Sequence, residues 1–173
     1  MPNETFSLRR FRWQLTRKHL VVVGVGNTLK GDDAFGPMLI ERLLKANVPI
    51  DCFDCGVAPE NYLTKIAACR PDVIFIIDTL DFGGAPGELA VFNTEELTEG
   101  GISTHGMSLR LFAQFLRACA NPDIFFIGVQ PKSLFLNEPI QKEVAASLEI
   151  LEREIKALFT PLDPENPAFP SAQ

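Results

Sequence analysis

The side chains able to bind a cation or activate water stand mainly where apolar runs of this chain end. Asn27, Asp32 and Asp33 follow Leu20–Val25; Asp54 and Cys55 close a short run that starts at Ile50, with Pro59 and Glu60 just beyond. Asp78 and Asp81 follow Val73–Ile77, Gln130 follows Ile124–Val129, and His105 is one of only two histidines. Two aspartates and an imidazole, with space left for water, form an oxygen and nitrogen ligand set suited to a borderline divalent ion such as nickel or zinc. Asn27, Glu60 and Gln130 are the polar groups left to contact a substrate. Each residue also has an ordinary structural use. Asp32 or Asp33 can cap a helix, Asp78 can accept backbone amides, and His105, between Thr104 and Gly106, can start a helix. What favours chemistry is that the aspartates fall together at the ends of apolar runs, with His105 in a loop that enters a helix.

The runs themselves say what would bring these groups together. Leu20–Val25 and Val73–Ile77 are unbroken, largely β-branched stretches, as in strands buried on both faces. Ile50–Asp54 and Ile124–Val129 read as further strands, and Glu88–Asn93 alternates like an edge strand after the Pro86-Gly87 turn. Between them lie helical patterns. Pro37 sits in a first turn followed by Met38, Leu39, Leu43 and Leu44, and Glu60–Cys69 ends at Arg70-Pro71. Ser108–Cys119 turns Leu109, Phe112 and Leu116 inward, and Pro139–Phe159 is long and amphipathic. Strands alternating with helices predict an α/β fold: a three-layer sandwich with a twisted, mostly parallel five-stranded sheet and helices on both faces. Ligands of such sheets bind in the crevice at the carboxyl ends of the strands. Residues 1–18 form an amphipathic extension with Leu8, Phe11 and Leu15 on one face, expected as a short helix packed on the domain or on a partner, 19–160 the main domain, and 161–173 a loose Pro-rich tail without periodicity.

Composition narrows the field. A chain of 173 residues suits one domain and buries about 70% of its unfolded surface without disulfides or a structural metal. The 16 basic and 22 acidic residues, net charge −6, disfavour nucleic acid as a partner. Cys52 and Cys55 make a C-x-x-C, but no second pair follows at zinc-finger spacing. Cys69 and Cys119 read as small buried hydrophobes. Arg9-Arg10-Phe11 looks like a twin-arginine signal, yet Arg17, Lys18 and His19 interrupt the apolar stretch such a signal requires. The expected location is the cytoplasm, without membrane insertion.

A nucleotide site fails on its details. Gly24-Val-Gly26 opens like a dinucleotide fingerprint, but Leu29 stands at the third glycine position, and Gly31 is not followed by lysine. Asp32 and Asp33 would face the phosphates with like charge. No G-x-S-x-G elbow surrounds Ser103 or Ser108, and a Cys55–His105 nucleophilic pair has only Cys55's strand-end position behind it.

Five separated motifs carry a family resemblance. Gly24-Val-Gly-Asn-Thr-Leu-Lys-Gly-Asp-Asp-Ala-Phe-Gly36 resembles the first signature of hydrogenase maturation endopeptidases, and Gly56-Val-Ala-Pro-Glu-Asn61 the second. Ile76-Ile-Asp-Thr-Leu-Asp81 with Pro86-Gly-Glu88, then Thr104-His-Gly-Met107, then Gly128-Val-Gln-Pro131 follow in the family's order. The resemblance spans roughly residues 20–157 and looks like the branch serving hydrogenase 3. It implies an endopeptidase that removes a C-terminal extension from the nickel–iron hydrogenase large-subunit precursor after nickel insertion, just beyond the last metal-binding Cys motif. It implies Asp33, Asp78 and His105 as metal contacts, with Asp33 and Asp78 catalytic in the manner of an aspartyl protease. The nickel would be the substrate's own, with no tightly bound resident cofactor. Cys55 stands where the family often has glycine, which predicts a narrower or redox-sensitive pocket. Two alternatives use the same architecture: a nickel-dependent checkpoint protein that holds the precursor without cutting it, and a hydrolase related to spore germination proteases.

Overall fold

The computed structural model describes residues 6–99 and 106–160. Its elements in chain order are α1 (Phe11–Gln14), β1 (Leu20–Gly24), α2 (Phe35–Lys45), β2 (Asp51–Asp54), α3 (Leu63–Ala68), β3 (Val73–Thr79), β4 (Leu89–Phe92), α4 (Glu96–Glu99), α5 (Gly106–Ala120), β5 (Asp123–Val129) and α6 (Lys142–Phe159). Short 3-10 turns, Gly31–Ala34 and Pro59–Tyr62, lead into α2 and α3.

The five strands form one sheet in the order β2-β1-β3-β5-β4. The first four are parallel, and β4 runs antiparallel along β5. Every residue of β1 and of β3 is buried, which is why these strands lack polar alternation. Alternate residues feed two cores. Leu20, Val22, Phe75 and Ile77 pack with α2 and α6. Val21, Val23, Ile74 and Ile76 pack with Ile66 of α3 and with α5. Helices therefore cover both faces, and the predicted three-layer arrangement is the one found.

Several local expectations change. The amphipathic face of the N-terminal segment is real, but its helix is one turn long. Leu8, Phe11 and Leu15 are buried in the α2–α6 core, and the Phe11 ring meets Phe75 and Phe125 edge-on at centroid distances of 5.2 and 4.7 Å. The segment is thus an integral part of the core. Helix α6 begins at Lys142 and not at Pro139, because Pro139–Gln141 belong to a loop whose last amide is held elsewhere. Leu44 is exposed, at the end of a helix whose inward face is Leu39, Ile40 and Leu43. Cys69 is half-buried and Cys119 exposed, which corrects their reading as buried hydrophobes. Residues 161–173 lie outside the described residues.

Candidate active site

Strand β1 leads on to β2 on one side, while β3 lies on the other. A parallel sheet opens a crevice where successive connections leave in opposite directions. Asp33 lies beyond the carboxyl end of β1, in the 3-10 turn that opens α2, and Asp78 is the penultimate residue of β3. The register pairs Gly24 with Ile77, and the Val25 N–H donates to the Ile77 carbonyl at 2.9 Å. Asp78 is the next residue along β3, so it meets the start of the β1 loop.

Close packing completes the approach. A Cβ on Gly36 would lie 2.3 Å from the Val25 carbonyl oxygen and 2.8 Å from that of Ile77. A Cβ on Gly26, whose φ is +143°, would lie 1.9 Å from the Asp33 carbonyl oxygen. Only glycine lets the loop fold over and the start of α2 rest directly on the ends of β1 and β3.

The two acids are both buried, Asp33 at 4% exposure and Asp78 at 0%. Asp33 is fully engaged: the Asn27 N–H donates to Oδ2 at 3.0 Å and the Thr79 hydroxyl to Oδ1 at 2.8 Å. Asp78 accepts the Thr79 N–H at Oδ1, 2.8 Å. Its other oxygen, Oδ2, is buried and has no hydrogen-bond partner among the described residues. Burial, and then the charge of Asp33, push the Asp78 carboxyl well above the ordinary carboxylate range, against a smaller pull from the Thr79 amide. An unsatisfied buried carboxyl oxygen beside a second acid is costly for a structural role. It is the state expected of a group awaiting a cation or a proton.

Asp32, next to Asp33, does different work. Fully buried, it accepts the N–H groups of Lys132 and Ser133 at Oδ2 (2.7 and 2.9 Å) and that of Gln141 at Oδ1 (2.7 Å). It fastens the loop after β5 to the loop after β1 and caps no helix of its own.

The other sequence-predicted residues divide. Asn27 is half-buried, and its side-chain oxygen accepts the Leu29 N–H at 2.9 Å. Glu60 is exposed in the turn before α3. The Gln130 side chain shapes a turn. Its oxygen accepts the Phe82 and Gly84 amides at 2.9 and 3.1 Å, and its nitrogen donates to Asp81 at 3.0 Å. His105 lies outside the described residues, and among those described no group of three or more His, Cys, Asp and Glu is arranged to hold a metal. The other histidine, His19, precedes β1 at the opposite end of the sheet, where its ring contacts the Asp51 carboxylate at 2.9 Å and the Cys69 carbonyl at 3.0 Å. Cys55 is buried among the side chains of the α5 core. Burial and then the Asp54 charge push its thiol up to about 12, which disfavours the thiolate that redox chemistry needs. Thr79 was not singled out by sequence reasoning; the only signal was its place directly after a strand-end acid.

Residues 37–157 match the HycI family model, described as hydrogenase maturation protease. The chain belongs to the hydrogenase maturation protease family. The matched stretch includes Asp78 and His105 and begins just after the Asp33 turn. The protein is similar to the hydrogenase 3 maturation protease of Escherichia coli (strain K12), with 29% identity over 140 residues, 79% of this chain and 88% of that protein. Among solved structures, the nickel–iron hydrogenase maturation protease HycI of Thermococcus kodakarensis superposes with a TM-score of 0.77 at 34% identity, covering 86% of this chain and 97% of that one. The endopeptidase HycI of Escherichia coli superposes at 0.72 with 26% identity, covering 80% and 90%. This maturation protease is therefore an enzyme, an endopeptidase on an open α/β sheet. Among the described residues, no helix is long and apolar enough to cross a membrane.

Proposed function

We propose that the protein removes the C-terminal extension of a nickel–iron hydrogenase large-subunit precursor once nickel has been inserted, and that it does so in the cytoplasm. The nickel belongs to the substrate and serves as the recognition element. Asp33, Asp78 and His105 contact it, and the acid pair serves hydrolysis. Asn27 and Glu60 meet the substrate at the mouth, and Gln130 contributes by shaping the turn at Phe82–Gly84.

One observation carries this reading: the acids Asp33 and Asp78 are sequestered together, with one Asp78 oxygen unpaired among the described residues. Two neighbouring buried carboxylates repel when both are ionised. A divalent cation removes that penalty and lets both be anions. Carboxylates and an imidazole are hard to borderline ligands, so they hold nickel weakly unless the substrate's own ligands come with it. Binding then requires a nickel-loaded precursor, which prevents early trimming. The ion, placed against the acids, lowers the barrier for water to attack the adjacent peptide carbonyl.

The test is to incubate the enzyme with nickel-loaded and nickel-free precursor and to read peptide release by mass spectrometry. Release is expected from the loaded precursor only. Asp33→Asn, Asp78→Asn and His105→Ala are each expected to slow it by about a hundredfold or more, with circular dichroism unchanged. Equal release from both precursors, or full activity in any two variants, overturns the reading.

A further inference from the structure

The exposed apolar side chains near the crevice are not scattered. Leu29 (61% exposed), Leu134, Phe135 (72%) and Leu136 (61%) lie on two adjoining segments, the loop after β1 and the loop after β5. The two backbones are joined. The Asn137 N–H donates to the Leu29 carbonyl at 2.7 Å, Gly31 to Glu138 at 3.1 Å, and Asp32 to Ser133 at 3.0 Å. The fully buried Asp32 carboxylate adds its three amides from Lys132, Ser133 and Gln141. A loop that needs only solubility carries polar residues at its tip. This one spends a buried carboxylate on holding three consecutive apolar side chains out in water, and contiguous exposed apolar surface marks an interaction site. Because these hydrogen bonds tie the loop in place, binding costs it little conformational entropy.

We propose that this ridge, Leu29 with Leu134–Leu136, is a docking surface for an apolar segment of the hydrogenase large-subunit precursor and seats that client beside the acid pair. The occupant follows from position. The ridge is anchored beside the acids: Asn27, whose N–H donates to Asp33 Oδ2, lies two residues before Leu29, and Asp32, which fastens the loop after β5, directly precedes Asp33. An endopeptidase receives a polypeptide at that crevice. The ridge offers aliphatic and aromatic contacts, so the client segment must supply the same. A further exposed apolar residue at this end of the sheet, Val57, sits on the loop after β2, which is tied to the same β1 loop by the Gly26 N–H donating to the Gly56 carbonyl at 2.9 Å. The identity of the client rests on the function proposed above.

The experiment compares the full-length enzyme with Phe135→Ser/Leu136→Ser and with Leu29→Ser. Cleavage kinetics are read by mass spectrometry on nickel-loaded precursor. Binding is read separately on immobilised precursor, and self-association by size-exclusion chromatography. Loss of the ridge is expected to raise KM and weaken precursor binding by about tenfold or more, with kcat changed by less than about twofold and melting unchanged. Unchanged KM and binding overturn the ridge while leaving the proposed function intact. If the wild type binds precursor but releases no peptide from it, the proposed cleavage fails, and the ridge still stands or falls on the binding difference. Wild-type self-association that the ridge variants abolish, with precursor binding unchanged, assigns the surface to a second copy of the chain and overturns the proposal.

Discussion

The Thr79 hydroxyl donates to Asp33 Oδ1 at 2.8 Å, and the Thr79 backbone N–H donates to Asp78 Oδ1 at the same distance. One residue therefore sets the position of both buried acids. Valine has nearly the same shape without the hydroxyl. Thr79→Val leaves Asp33 Oδ1 without that donor and free to turn away from Asp78. Precursor cleavage is expected to fall by about tenfold to a hundredfold, mostly in kcat, because a small misplacement of a reacting group is costly. Thr79→Ser, which restores the hydroxyl, should recover most of the loss. A fully active valine variant in a peptide-release assay would show that the hydroxyl is dispensable.

The raised Asp78 carboxyl predicts how metal-free protein responds to pH. Burial and the neighbouring Asp33 charge make the folded state bind a proton at Asp78 more readily than the unfolded chain does. That contribution to stability is complete below the unfolded carboxyl value, near 3.8. It is lost as pH rises through the higher folded value. Asn is a neutral isostere free of this loss. Asp78→Asn should therefore melt higher than the wild type at neutral pH, with the gap closing as pH falls towards about 4. Thermal scans across that range check it; a gap that widens in acid would contradict the assignment.

Asp32 is predicted to matter for stability and for the loop that bears the apolar ridge. Asp32→Ala strands three amides, those of Lys132, Ser133 and Gln141, in partly buried surroundings. A loss of about 3 kcal/mol is expected in urea unfolding. Hydrogen exchange should quicken at those three amides ahead of the sheet. Asp32→Asn, which keeps acceptor capacity, should lose less.

Thiol chemistry should separate the cysteines by environment. Burial holds Cys55 at about 12 and Cys52 at about 11, each with a further push from the adjacent aspartate. Cys119 is exposed. Brief iodoacetamide treatment of the folded enzyme near pH 8 should label Cys119 first and leave Cys55 unmodified, as peptide mapping will show. Peptide release should survive that treatment.

Much of the architecture is legible in the amino-acid sequence. The unbroken apolar runs at Leu20–Val25 and Val73–Ile77 marked the central strands, since only a strand covered on both faces tolerates no polar alternation. The strand-end acids pointed to the crevice. Boundaries were less legible. The start of α6 depends on a hydrogen bond from Gln141 to a residue more than a hundred positions away. The Leu8–Leu15 face was legible as one that packs on the domain or on a partner, but nothing in its own residues names Phe75 and Phe125 as its contacts.

By itself, the sequence determined the layered α/β fold, the carboxylates at the strand ends and the family, because periodicity and motif spacing are local properties of the chain. Tertiary structure alone decided what the neighbouring acids do. Asp32 became a loop anchor and Asp33 a member of the buried pair, although they are chemically identical and adjacent. The difference is set by which distant amides and hydroxyls the fold brings to each, and no local pattern encodes that.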